Sequence, residues 1–100
     1  MIRRAARVDA NQSEIVAALR AIGVSVVDMS GVGRGFPDLF AMFRGAMYLL
    51  ELKNGSKPPS ARKLTVEQVR FHNDARLAGV KVHVVSTVDE ALAVFGAMVA

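Results

Sequence analysis

Two apolar runs, DLFAMF at 38–43 and AMYLLELK at 46–53, are separated by Arg44-Gly45 alone. Two residues cannot carry a chain across a sheet, so the runs must fold back as an antiparallel hairpin. The hairpin also sets a register. Folding about the 44/45 midpoint places residue 38 opposite residue 51. Side chains alternate along a strand, so Tyr48, Leu50 and Leu52 share one face and Leu49, Glu51 and Lys53 the other. Two charges at the end of an apolar strand cost stability unless something uses them.

The flanking segments complete an αβββαβα order. DANQSEIVAALRAIG has Ile15, Leu19 and Ile22 at helical spacing, Gly23 as a stop, and Asp9 with Gln12 in a capping-box pattern. VSVVDM at 24–29 predicts a short strand, and SGVGRGFP a loop. After the hairpin, NGSKPPSARK predicts a loop in which Pro58-Pro59 forbids regular structure. TVEQVRFHNDARLAG predicts a second helix capped by Thr65 and Gln68, with Leu64, Gln68, Phe71, Ala75 and Ala78 on its inward stripe. VKVHVVS predicts the fourth strand, and TVDEALAVFGAMVA a third helix with Thr87 and Glu90 at capping-box positions. A strand, a helix and another strand imply a right-handed crossover, so the third and fourth strands should run parallel. The expected class is α/β, a mixed sheet flanked by helices in one domain spanning 1–100.

Composition narrows the functions open to such a domain. At 52% hydrophobic with no Trp and one Tyr, the core must be aliphatic. With no cysteine, disulfides, thiol catalysis and Cys-ligated zinc are excluded, and a cytoplasmic location is expected, the host-cell cytoplasm if the source is viral. No apolar run approaches the ~18 residues of a membrane span, and the basic start lacks the apolar stretch of a secretory signal. Thirteen Lys and Arg against nine Asp and Glu give a net charge of +4. Lys53, Lys57, Arg62 and Lys63 follow one another without an acid between, and Arg3, Arg4 and Arg7 form a second group. These clusters fit either a solvated basic surface or a polyanion partner, most simply nucleic acid.

The register carries the chemistry. Asp38, fixed by Pro37, and Glu51 meet at the open end of the hairpin with Lys53 beside them. Two carboxylates so placed repel unless a cation lies between, and Mg²⁺ or Mn²⁺ suits such oxygen ligands, with the Leu52 carbonyl as a third. Such a site calls for an anionic substrate, and a phosphodiester supplies one. Singly, each residue has a plainer role: Asp38 as a turn residue, Glu51 and Lys53 as a guard on an edge strand, Gln68 as a cap. His72 and His83 have no ligand partner at metal spacing and are expected to be structural or surface groups. The glycines of SGVGRG are turn residues that would also admit close backbone approach to a phosphate.

GFPDLF, followed thirteen residues after Asp38 by ELK, resembles the PD-(D/E)XK nuclease superfamily. The G-x-PD form, the short hairpin and LTVEQ resemble more narrowly its VRR-NUC domains, over roughly 14–95 of the chain. The resemblance implies a restriction-endonuclease-like core. It implies Asp38 and Glu51 as metal ligands, Lys53 as the catalytic lysine, Gln68 as the active-site glutamine and Glu14 as the acid of the first helix, near the metal or its water. It also implies Arg34 as a phosphate contact; the loop carrying Lys57, Arg62 and Lys63 would form the DNA-facing rim.

The expected function is thus a Mg²⁺- or Mn²⁺-dependent DNA endonuclease with no nucleotide cofactor and no membrane partner. Resemblance to standalone VRR-NUC proteins further implies a homodimer acting on branched DNA such as Holliday junctions, in DNA repair. ALAVFGAMVA, apolar nearly all round, fits either a dimer interface or a packed terminal helix. The alternatives are a non-catalytic DNA-binding module, a nuclease subunit that needs a partner protein, and a flap or nicking nuclease.

Overall fold

The computed structural model describes residues 11–96, apart from the side chains of Ala61 and Arg62. The element order is α1 (Gln12–Ala21), β1 (Ser25–Asp28), β2 (Leu39–Phe43), β3 (Ala46–Leu52), α2 (Val66–Leu77), β4 (Val82–Val85) and α3 (Val88–Val94). The four strands form one mixed sheet in the order β1-β2-β3-β4. β1 and β2 pair antiparallel, as do β2 and β3, whereas β3 and β4 run parallel. Both edge strands have only four residues, which limits the unpaired backbone they present.

The hairpin has the expected register, with Leu39 opposite Leu50 and Phe43 opposite Ala46. Arg44 and Gly45 turn it with φ of 49° and 83°, the two positive angles that a two-residue turn of matching twist requires. Asp38 and Glu51 are the next residues beyond the last pair of this ladder.

Alternation then sorts the sheet into two unlike faces. Val26, Leu39, Ala41, Leu50, Leu52 and Val85 pack on Ile15 and Leu19 of α1 and on Ala91 and Phe95 at α3. Phe95 also meets Phe43 and Tyr48 edge-on, at ring separations of 5.7 and 4.5 Å. This is the core. The other face is crossed by α2, a polar helix whose only buried residue is Ala75.

Close backbone fit holds α2 in place. Gly35, at φ 79°, lies so near the first turn of α2 that a Cβ there would stand 2.3 Å from the carbonyl oxygen of Glu67. Phe36 meets Phe71 edge-on, with centroids 5.2 Å apart.

Several local expectations change. Gln12 is the first residue of α1 and Asn11 its N-cap; Asp9, its expected capping partner, lies outside the described residues. Pro59–Arg62 forms a short 3-10 helix rather than a loop, because proline at the first helical position gives up no hydrogen bond. Ala78 is the exposed C-cap of α2 and leaves the inward stripe. α3 stops at Val94 with Gly96 left-handed at φ 69°; the expected continuation through 97–100 lies outside the described residues. Glu90 accepts a hydrogen bond from the Ser86 amide at 2.6 Å, while Thr87 accepts from the Glu90 amide at 3.0 Å. No described helix is long and apolar enough to cross a membrane.

Candidate active site

The site forms where β3 ends. Pro37 is buried, and the Asp38 carbonyl accepts a 2.7 Å hydrogen bond from the Met29 amide, which extends the β1–β2 pairing by one step. So anchored, Asp38 Oδ2 accepts a 2.8 Å hydrogen bond from the amide of Leu52, the residue after Glu51. The two acidic residues are thereby joined through the strand that carries one of them. A carboxylate on a backbone amide is a charge-assisted bond, stronger than a neutral one.

Glu51 is 1% exposed. A carboxylate so deep demands hydrogen bonds, and Gln68 supplies one from Nε2 to Glu51 Oε2 at 2.8 Å. The other end of the same amide, Oε1, accepts from Lys53 Nζ at 3.0 Å and from the Thr65 amide at 2.8 Å. Only one orientation of the Gln68 amide satisfies two donors and one acceptor in this way. The capping box is complete, since Thr65 Oγ1 also accepts from the Gln68 amide at 3.1 Å. Capping and site roles therefore coincide. The box locks the side chain of Gln68, and the locked amide spaces Glu51 from Lys53.

His72 lies one turn further along α2. Burial, and then the charge of Lys53, hold its imidazole below the ordinary histidine range. On the opposite face, burial and then Lys81 lower His83 in the same direction. Asp28, at the end of β1, is lowered by the Ser30 hydroxyl and amide, with Gln12 adding a smaller part.

The remaining expected residues lie around this centre. Glu14 is exposed on α1 and lines a cleft of about 460 Å³ with Asn11, Asn54, Ser56 and Ser86. Among the described residues no three His, Cys, Asp or Glu side chains converge to hold a metal, so Glu14 does not form a triad with Asp38 and Glu51. Arg34, at φ 59°, borders a cleft with Glu67, Arg70 and Asp74. Lys57 and Lys63 are exposed at either end of the 3-10 helix. Arg62 belongs to that helix, but its side chain lies outside the described ones.

Two positioning residues escaped the sequence reading. Asn11, at the N-cap of α1, makes no side-chain capping bond to the helix. Its Nδ2 donates to the carbonyls of Ser86 at 2.8 Å and Lys53 at 3.3 Å, tying the helix start to the ends of β3 and β4. Gly35 admits the turn that carries Gln68. A glycine just before the FPD stretch was a readable signal for close packing; nothing local marked Asn11.

A comparison with solved structures bears on this arrangement. One chain, described as a VRR_NUC domain, superposes with a TM-score of 0.65 at 26% identity, over 88% of this chain and 92% of that one. The chain is similar in fold to a VRR-NUC domain. The likeness covers most of both chains and supports a nuclease-type domain. No family model matches the sequence, and the search of curated proteins finds no significant match.

Proposed function

We propose that the protein is a Mg²⁺- or Mn²⁺-dependent endonuclease that hydrolyses phosphodiester bonds in DNA. The observation that carries this reading is the Gln68 clamp, which holds a buried carboxylate and an ammonium at fixed spacing beside Asp38. An edge-strand charge guard would need no such clamp.

The donor set suits a hard divalent ion. Among the described residues Asp38 Oδ1 accepts no hydrogen bond, and Glu51 and the Leu52 carbonyl offer further oxygens. Few protein ligands are needed, because such ions keep waters and take substrate phosphate oxygens. When bound, the ion would polarise the phosphate and acidify a water. Lys53, steered by Gln68 Oε1, places its charge where the phosphorane oxygens develop, or orients the attacking water. Gln68 keeps Glu51 pointed by donating to it. Glu14, across the end of β3, is proposed to order water rather than to bind the ion directly. Arg34, Lys57, Arg62 and Lys63 are proposed to contact DNA phosphates.

The preferred substrate is proposed to be branched DNA, cut by a homodimer whose two-fold axis pairs two nicks. The support for this is the resemblance to standalone VRR-NUC proteins. The test is cleavage of linear duplex, single strand, flap and four-way junction with Mg²⁺, Mn²⁺ or EDTA, for wild type and Lys53→Ala. Metal-dependent cutting of the junction, lost in the variant, is expected. Cutting of flaps alone would keep the site and overturn the junction preference. Junction binding without any cutting would make the domain a docking module, or a subunit that needs a partner.

A further inference from the structure

Beyond the candidate site, α2 and the start of β4 enclose a cleft of about 470 Å³. Its polar walls are His72, Asn73, Arg76 and Lys81, with Val80 and Val82 between them and no carboxylate on its lining. Arg76 and Lys81 are both exposed. The acids of α2 lie elsewhere, since Glu67 and Asp74 line a separate cleft with Arg34 and Arg70.

The cleft continues the site. Gln68, His72 and Arg76 recur every four residues and so share one face of α2. Gln68 holds Lys53, His72 feels the Lys53 charge, and Arg76 borders the cleft. From Gln68 to Arg76 the helix rises about 12 Å, at 1.5 Å per residue. One DNA strand advances about 3.4 Å per nucleotide, so the span equals three to four nucleotides. His72 Nε2 is buried without a hydrogen-bond partner among the described residues, which makes the stretch between a polar, uncharged wall.

We propose that this cleft is a second phosphate site that holds the backbone of the nucleic acid three to four nucleotides from the scissile phosphate. The assignment rests on the nuclease reading above. Arg76 provides a planar fork that matches two phosphate oxygens, and Lys81 a point charge beside it. The valines offer an apolar wall to the sugar. A free phosphate has the same chemistry, so the test must separate the two sources.

Binding of a labelled duplex is measured by anisotropy across a series of KCl concentrations in EDTA, for wild type, Arg76→Ala/Lys81→Ala and the charge-reversed Arg76→Glu/Lys81→Glu. Each lost phosphate contact reduces the salt slope by about 0.9, so the alanine pair is expected to flatten it by about 1.8. The reversed pair should bind more weakly still. If circular dichroism shows either pair unfolded, Arg76→Gln and Lys81→Gln are each expected to flatten the slope by about 0.9. An unchanged slope in variants of an enzyme that binds and cuts would overturn this site alone. A wild type that neither binds nor cuts any nucleic acid would overturn the nuclease reading, and this one with it. Inorganic phosphate that shifts the Lys81 and Val82 amide resonances as tightly as duplex does would mark a free-anion site, and also overturn the assignment.

Discussion

The two faces of β3 solve different problems with adjacent residues. Leu50 and Leu52 are 0% and 1% exposed among aliphatic neighbours from two helices. Glu51, between them in sequence, is as deeply buried on the other face, under a helix that buries only one residue. Apolar burial has no preferred direction, so the first face contributes stability without fixing any functional atom. Hydrogen bonds are directional, so the second face fixes atoms while contributing little net stability. The core face should therefore govern whether the protein folds, and the α2 face what the folded protein can do.

The largest expected effects test that division directly. Leu50→Ala leaves a cavity at the centre of the core and should cost about 2–5 kcal/mol in urea unfolding. Its folded fraction should retain its turnover. Lys53→Ala should do the reverse, losing about 10²- to 10³-fold in cleavage rate while changing stability by about 1 kcal/mol or less. Equal losses of stability in the two variants would abolish the distinction between the faces.

Gly35→Ala should come next and should affect both properties. The left-handed backbone there costs a side chain roughly 1–3 kcal/mol, and the new methyl would meet the Glu67 carbonyl at 2.3 Å. Relief requires the first turn of α2 to move, and Gln68 with it. Unfolding and cleavage assays should both register the change. Full activity in a destabilised variant would mean that α2 shifts without disturbing the clamp.

This glycine also shows where the sequence stops being informative. The register that opposes Asp38 and Glu51 was legible because a two-residue turn and strand alternation are local rules. The Thr65–Gln68 box was legible for the same reason. That Gln68 would play both of its roles at once was not, because that depends on how far α2 sits from β3, where Gly35 admits the first turn of the helix. Asn11 reaches a carbonyl 75 residues away, a contact with no local pattern. Glu14 was assigned from the resemblance as the acid of the first helix, yet a place on that helix does not determine which cleft the side chain borders. Pro58-Pro59 misled because proline breaks helices only away from their start.

Gln68→Ala isolates the clamp more gently. It removes the amide that spaces Glu51 from Lys53 but leaves both groups in place. With Glu51 in its proposed role as a metal ligand, a partner bonded to it contributes about 10- to 100-fold, so cleavage should fall by that much at saturating Mg²⁺. The lost capping bond to the Thr65 amide adds a smaller loss of stability. A rate within about twofold of wild type would reduce Gln68 to a cap and weaken the contrast between the faces.

The smallest effect compares the faces through their histidines. His72 belongs to α2, and His83 on β4 sits 6.1 Å from the Tyr48 ring on the core face. Burial comes first among the causes that lower each, followed by a neighbouring lysine. Both folded values thus lie below the unfolded value of 6.5, and between the two values the unfolded chain binds more protons. By linkage the stabilising contribution is complete above pH 6.5 and is lost as pH falls through the folded values. Urea midpoints measured across that range should therefore decline toward acid. His72→Gln and His83→Gln should each flatten part of the decline. In the His72 variant the flattening should persist when Lys53 is intact and shrink when Lys53→Ala is added, because Lys53 is the second cause of the shift. His83 lies on the other face with Lys81 as its neighbour, so its share should ignore Lys53 altogether. A response of His83 to Lys53→Ala would show that the two faces are electrostatically coupled through the sheet, and that the division argued from β3 holds for packing but not for charge.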